Sequence, residues 1–171
     1  MCYADASGSY VLDLLVDKVN AVRDPQLSHA IQLKLFKLSN GPRLQTMARD
    51  ASAPDEAGVA FLPELIDLGD IDGDGLIDPV IVYRFYALDR DIQGSKEYSG
   101  RLKIITFYKG QKVAIRAVTG TLDESRITTA SANFFELPKK VQNHLVAKIK
   151  QMYDKGQFGF DNSFEFKPRR E

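Results

Sequence analysis

The stretch LIDLGDIDGDGLIDPVIVYRFYAL, residues 65–88, decides the fold, because it joins two apolar segments through an acidic loop. Residues 79–88 form an unbroken run rich in β-branched and aromatic side chains, which is the strongest strand prediction in the chain. Residues 59–68 are also apolar but contain Pro63, which predicts an edge strand or a strand interrupted at a bulge. The sequence therefore predicts a strand on each side of the acidic loop.

Further strands are predicted on both sides of this stretch. Residues 10–22 are apolar and β-branched, residues 31–35 alternate between apolar and polar, and residues 44–48 return after the turn Ser39-Asn40-Gly41-Pro42. Residues 102–108 and 111–118 flank Lys109-Gly110 and predict a second hairpin. The polar, glycine-containing residues 51–58 and 89–100 are predicted loops.

The C-terminal part of the chain predicts one helix and a last strand. The helix is expected from Pro138 to about Lys155, because proline suits the first helical turn and Gly156 provides a stop. Its apolar face consists of Val141, Leu145, Ile149 and Met152. Four alternating aromatic residues then predict a strand: Phe158, Phe160, Phe164 and Phe166. The predicted fold class is α+β, a mainly antiparallel twisted sheet with one C-terminal helix packed on it.

Length and composition suggest one globular domain. The chain has 171 residues, and we expect residues 10–171 to form the domain while residues 1–9 remain a flexible segment. The 23 basic and 23 acidic side chains balance, which disfavours nucleic acid as the main partner because phosphate binding needs a basic surplus. No apolar run approaches the ~20 residues of a membrane-spanning helix.

The spacing of acidic residues in the loop predicts a calcium site between the two strands. Ca²⁺ takes about six to eight oxygen ligands, often from one compact backbone segment. The predicted ligands are four carboxylates and one backbone carbonyl, from Asp70, Asp72, Asp74, Asp78 and Leu76 respectively. Mg²⁺ is less suited because it retains its waters, and an acidic turn solvated or neutralised by Lys and Arg is the alternative. We expect a structural ion, because the loop ligands largely fill its coordination shell.

The loop also resembles a known kind of calcium loop. It begins like an EF-hand, but the twelfth position from Asp70 is Ile81 rather than glutamate, and its flanks are predicted strands. The pattern D-x-D-x-D-G-x-x-D of residues 70–78 between two strands resembles the calcium loops of FG-GAP and VCBS repeats. The resemblance covers about 25 residues and does not extend to their propeller, which needs at least about four repeats.

The N-terminus suggests an exported protein. Cys2 is the single cysteine, so no intramolecular disulfide forms. The small, polar residues 1–9 lack the charged and apolar regions of a signal peptide, and are typical of what remains after such a peptide is removed. We therefore expect a periplasmic or other extracytoplasmic protein, with a cytosolic start as the alternative. If the chain is a lipoprotein, Cys2 would carry the lipid anchor.

The sequence contains no recognised catalytic motif, and neither His29 nor His144 belongs to one. The chain as a whole resembles a family of small exported bacterial proteins, some of which are encoded beside antibacterial toxins. This resemblance implies an immunity protein that binds and occludes a toxin. The predicted partner contacts are Arg90, Tyr98 and Arg101, because Tyr and Arg are favoured interface anchors. A glycan-binding or cell-envelope accessory module is the alternative, and a hydrolase with an unrecognised site is a weaker one.

Overall fold

The computed structural model describes residues 1–17, 27–87 and 100–171. The strands are β1 Cys2–Asp5, β2 Gly8–Val16, β3 Ala30–Leu38, β4 Pro42–Ala51, β5 Glu56–Phe61, β6 Asp67–Gly69, β7 Asp78–Ala87, β8 Gly100–Tyr108, β9 Gln111–Thr119, β10 Ile127–Ala130 and β11 Arg169–Arg170. The α-helix α1 spans Lys139–Asp154, and short 3₁₀ helices span Pro63–Leu65, Asp123–Ser125 and Ala132–Glu136. No helix in these described ranges is long and apolar enough to cross a membrane.

The strands form two sheets rather than the single sheet that the sequence predicts. The small sheet has the order β1-β2-β3-β4, and the large sheet has the order β11-β10-β9-β8-β7-β5, with β6 paired to β7. Pairing is antiparallel except between β10 and β11. The prediction of an α+β fold with a mainly antiparallel sheet and one helix is therefore confirmed at this level, and its single sheet is corrected to two.

Strand β7 lies between the two cores, which explains its continuous apolar sequence. Val80 and Val82 face α1, whereas Ile81, Tyr83 and Phe85 face the small sheet. A strand whose two faces are both covered needs apolar residues at successive positions. The same sequence run is compatible with one covered face or two, so the second sheet could not be inferred from it.

Helix α1 packs on the large sheet as predicted. Its four predicted apolar residues are each no more than 1% exposed: Val141, Leu145, Ile149 and Met152. Gly156 adopts φ +68° just after the helix, and its N–H donates to the Tyr153 carbonyl at 2.8 Å. This left-handed residue satisfies a terminal carbonyl and ends the helix.

Both predicted hairpins are present, and the broken segment at Pro63 is confirmed. Pro63 begins a 3₁₀ helix that separates edge strand β5 from β6. The predicted loop 51–58 is shorter in the structure, because β4 continues to Ala51 and β5 begins at Glu56. Residues 18–22 of the first predicted strand lie outside the described residues.

Two terminal segments differ from expectation. Within residues 1–9, predicted as flexible, Cys2–Asp5 forms β1 and pairs with β2, and the Met1 ammonium donates to the Leu12 carbonyl at 2.7 Å. The last strand predicted from alternating phenylalanines is wrong, because Glu165 and Phe166 adopt φ +54° and +61°. This left-handed backbone cannot continue a strand.

Candidate metal centre

The acidic loop connects two antiparallel neighbours. Gly69, the last residue of β6, pairs with Asp78, the first residue of β7, so residues 70–77 close a hairpin. Gly73 and Gly75 have φ +86° and +84°, a conformation that glycine adopts without a steric penalty. The chain can therefore turn twice within three residues and return its later carboxylates toward the first.

Asp70 organises the loop backbone. One carboxylate oxygen accepts the N–H groups of Gly73 at 2.7 Å and Asp74 at 3.1 Å, and the other accepts that of Gly75 at 2.9 Å. These bonds fix the loop in one curled conformation, which lowers the entropy cost of bringing its ligands together.

Three carboxylates converge inside the curl. Oxygen atoms of Asp70, Asp72 and Asp78 lie within 4.8 Å of one another. Asp78 is only 1% exposed, and its described hydrogen bond is from the Ile71 N–H at 3.2 Å. Burial, followed by the charges of Asp72 and the neighbouring acids, raises the pKa of Asp78 to about 6, against the opposing effect of that hydrogen bond. No described basic side chain pairs with Asp78, so its ionised form has no compensating cation among its described contacts.

Asp74 lies outside this group of three, although its carboxylate adjoins that of Asp72. Its carboxylate pairs with the Lys109 ammonium at 2.9 Å and accepts the Leu76 N–H at 2.9 Å. The Lys109 hydrogen bond and the Leu76 N–H lower the pKa of Asp74. Lys109 competes with an ion for the Asp74 carboxylate, and ligation by Asp74 or by the Leu76 carbonyl stays a prediction.

The donor set fits a hard cation. Three carboxylates supply oxygen ligands of the kind that Ca²⁺ prefers, and the Tyr108 hydroxyl orients one of them by donating to Asp72 at 2.9 Å. Neutralisation by a basic side chain, which is the alternative to a bound ion, is seen at Asp74, because Asp74 pairs with Lys109. Among the residues described, no ion pair involves Asp70, Asp72 or Asp78.

The tip of the β1–β2 hairpin supports the loop, which sequence reasoning missed. Asp5 accepts the Ile77 N–H at 3.1 Å, and the Ala6 N–H donates to the Gly75 carbonyl at 3.0 Å. Partial burial raises the pKa of Asp5, but hydrogen bonds from Ser7, Ile77 and Gly8 outweigh it and lower the pKa overall. A contact spanning about 70 residues leaves no local signal in the sequence.

The predicted partner contacts are only partly described. Arg90 and Tyr98 lie outside the described residues. Arg101 lies on β8, where it forms a bidentate pair with Glu56 at 2.5 and 2.7 Å and stacks on the Phe85 ring at 4.0 Å. Its side chain nevertheless remains 41% exposed, so part of the guanidinium is accessible.

Both histidines lie on the surface of the described part of the chain. His144 is exposed on α1, and His29 is exposed beside Ser52, whose hydroxyl lies 3.3 Å from the His29 Nδ1. Ser52 also donates through both its N–H and its hydroxyl to the His29 carbonyl, at 2.9 and 3.2 Å. The Ser52 to His29 contact therefore continues the β3–β4 pairing one residue beyond Ala30 and Ala51, at the end opposite to the turn.

Comparison with known proteins adds no relative: no family model, curated protein or solved structure matches this chain. Function is therefore inferred from the geometry of the acidic loop and from the surfaces around it.

Proposed function

We propose that the chain is a calcium-binding protein that acts by binding another protein rather than by catalysing a reaction. The observation that carries the calcium part is the convergence of Asp70, Asp72 and Asp78 within 4.8 Å, with Asp78 buried. A buried carboxylate beside two others is costly without a cation, and Ca²⁺ offsets that cost through ligands that the backbone already positions.

The ion has a structural role in this proposal. The loop joins β6 to β7, and β7 contributes to both cores, so ordering the loop fixes one end of the central strand. The loop also holds the β1–β2 tip through Asp5 and Ala6. Calcium therefore stabilises the positions of both sheets relative to one another at this edge.

The partner is proposed to be a protein, with a cognate antibacterial toxin or hydrolase as the specific candidate. One observation supports a binding role: the large sheet presents Arg101, whose side chain is 41% exposed. The proposal assigns the chain to the periplasm or another extracytoplasmic compartment. There, calcium reaches the concentrations that extracellular calcium modules with dissociation constants of about 10⁻⁴–10⁻³ M require.

A glycan-binding module is the second candidate, and one groove favours it. A depression of about 290 Å³ beside the acidic loop combines aromatic rings with polar groups, and its lining includes Tyr3, Tyr10, Phe107, Gln45 and Lys109. Rings and hydrogen-bonding side chains in one concave surface are typical of small-ligand sites. Most of these polar groups already bond within the chain, as Lys109 does to Asp74, so the groove supports this function less strongly.

The calcium part is tested by thermal unfolding with calcium and with chelator. At a calcium concentration of ~100 times Kd, binding adds about 2.7 kcal/mol, or about 5–10 °C in Tm for a chain of this size. Asp72→Ala is expected to abolish the shift. Asp67→Asn is the matched control, because Asp67 pairs with Lys148 and lies outside the cluster. An equal shift in Asp72→Ala would contradict the assignment.

A further inference from the structure

Part of the large sheet is left uncovered by the small sheet. Two rows of paired residues run across β8, β9 and β10 in this uncovered part, on the face of the large sheet that carries the small sheet. One row consists of Arg101, Val118 and Ile127, and the other of Lys103, Arg116 and Thr129. They line a shallow depression of about 190 Å³, which we call the β8–β10 patch. Val118 and Ile127 are paired across β9 and β10 and are 40% and 48% exposed, so their apolar side chains face solvent.

The β4 edge of the small sheet, which has no strand partner among the described residues, borders the β8–β10 patch. β4 is the last strand of the small sheet, and Asp50 on β4 accepts from the Lys103 ammonium at 2.6 Å. Among the strands of the large sheet, β9 is the one with which β4 makes most contact. Since aligned sheets stack about 10 Å apart, a strand added beside β4 would lie above β10.

The β4 edge is able to accept a strand. β4 has 10 residues and pairs with β3, and its other edge has no strand partner among the described residues. An edge strand leaves alternate backbone N–H and C=O groups directed outward. The register with β3 is interrupted next to Gln45 but is regular over residues 46–51, which leaves six consecutive residues for pairing.

The chemistry of the β8–β10 patch is suited to carboxylates. Lys103 and Arg101 already pair with Asp50 and Glu56, whose side chains are 22% and 9% exposed. Arg116 pairs instead with Glu171, and both side chains are about 40% exposed. Exposed ion pairs contribute little to stability, so the carboxylate of another chain can replace that of Glu171 as the partner of Arg116.

The hydroxyl beside Arg116 adds a second donor. Thr129 donates to the same Glu171 oxygen at 3.3 Å, so a guanidinium and a hydroxyl converge on one carboxylate position. Arginine carries five N–H donors, more than this single contact uses. Next to this position lies the apolar pair Val118 and Ile127.

We infer that the β4 edge and the β8–β10 patch together bind an extended acidic segment of a partner protein. The segment adds as a strand to residues 46–51, places a carboxylate on Arg116 and Thr129 in exchange for Glu171, and lays an apolar side chain on Val118 and Ile127. Main-chain pairing supplies affinity and the two side-chain positions supply selectivity, as in other cases of strand addition. The inference rests on the partner-binding part of the proposed function and is independent of the calcium part.

The test selects displayed random peptides of about 12 residues, long enough to pair with one strand edge, against the full chain in calcium. We expect enrichment of extended sequences that combine Asp or Glu with β-branched residues. Binding of the selected peptides, measured by fluorescence anisotropy, should weaken about tenfold or more in Arg116→Glu, because like charges then meet at the interface. Replacing the peptide carboxylate by lysine should restore binding to that variant.

Two controls separate this surface from general effects. Lys150→Glu reverses another exposed, paired cation on α1 and should leave peptide binding unchanged. Ile127→Asp should abolish it, whereas Leu122→Asp, at a residue 60% exposed outside the patch, should not. No enrichment, or equal binding by Arg116→Glu, would overturn the inference. Peptide binding that persists in a chain without a calcium response would contradict only the calcium part of the proposed function.

Discussion

Replacing Asp5 by alanine should weaken calcium binding, although Asp5 lies outside the predicted ligand set. The carboxylate accepts the N–H of Ile77, the residue before buried Asp78, at 3.1 Å. Without this bond the returning half of the loop is less ordered in the metal-free state. Calcium must then supply more of the ordering free energy, which lowers its affinity.

The size of the effect follows from one partly exposed hydrogen bond. A hydrogen bond to a charged group contributes about 1.5–3 kcal/mol net when it is shielded from solvent, and the exposure of Asp5 reduces this to about 0.5–1 kcal/mol. That corresponds to a Kd weakened about two- to fivefold. Asp5→Asn keeps an acceptor oxygen and should fall between the wild type and Asp5→Ala.

Isothermal titration calorimetry of chelator-treated protein measures this change directly. Asp13→Ala is the control, because Asp13 lies on β2 opposite Lys34, away from the loop. Equal Kd values for Asp5→Ala and wild type, alongside a lower Tm for Asp5→Ala, would refute the reasoning. The hairpin tip would then stabilise the fold without ordering the acidic loop.

Three further outcomes follow from packing and charge. Leu145→Ala should lower the free energy of unfolding by about 2–5 kcal/mol in chemical denaturation, because Leu145 is 1% exposed, whereas exposed Leu122→Ala should change it little. Lys109→Met should lower the calcium Kd measured by calorimetry, because it frees the Asp74 carboxylate; an unchanged or higher Kd would contradict competition between Lys109 and calcium for Asp74. Burial raises the pKa of Asp78 from its ordinary value near 3.8 to about 6 in the folded chain. In chelator, the contribution of Asp78 to the free energy of unfolding should therefore be complete below about pH 3.8 and be lost as the pH rises through about 6. Asp78→Asn should remove this pH dependence from the Tm profile.

Local patterns predicted the elements whose causes are local. The two hairpin turns follow from Asn40-Gly41 and Lys109-Gly110, which adopt positive φ. The helix follows from the apolar spacing that places Leu145 and its neighbours in the core. Turn chemistry and helical periodicity act within a few residues, so a single sequence contains them in full.

The parts that sequence reasoning missed depend on contacts between distant residues. The division into two sheets depends on which face of β7 is covered, and both choices give the same apolar run. The short strand Cys2–Asp5 has no apolar pattern of its own and is held by pairing with β2 and by the loop. The C-terminal phenylalanines alternate as in a strand, but the left-handed backbone at Glu165 and Phe166 overrides that pattern.

At the candidate site, too, the sequence predicted what depends on local spacing and missed what depends on distant residues. The spacing of Asp70, Asp72 and Asp78 predicted three carboxylates that converge. It could not distinguish Asp74 from them, because the competing partner Lys109 lies on the turn between β8 and β9, 35 residues away in sequence. A carboxylate that its spacing predicts as a metal ligand is therefore sometimes paired with a basic side chain that only the fold brings close.

Calcium titration by calorimetry, on wild type and on Asp78→Asn, tests the central claim most directly. Asp78 is the most buried of the three converging carboxylates, so its neutral isostere keeps the shape of the loop while removing the charge that most needs a cation. We predict one Ca²⁺ per wild-type chain with a micromolar to millimolar Kd, and binding in Asp78→Asn weakened beyond detection. No heat of binding in wild type, together with a Tm that is the same in calcium and in chelator, would contradict the account.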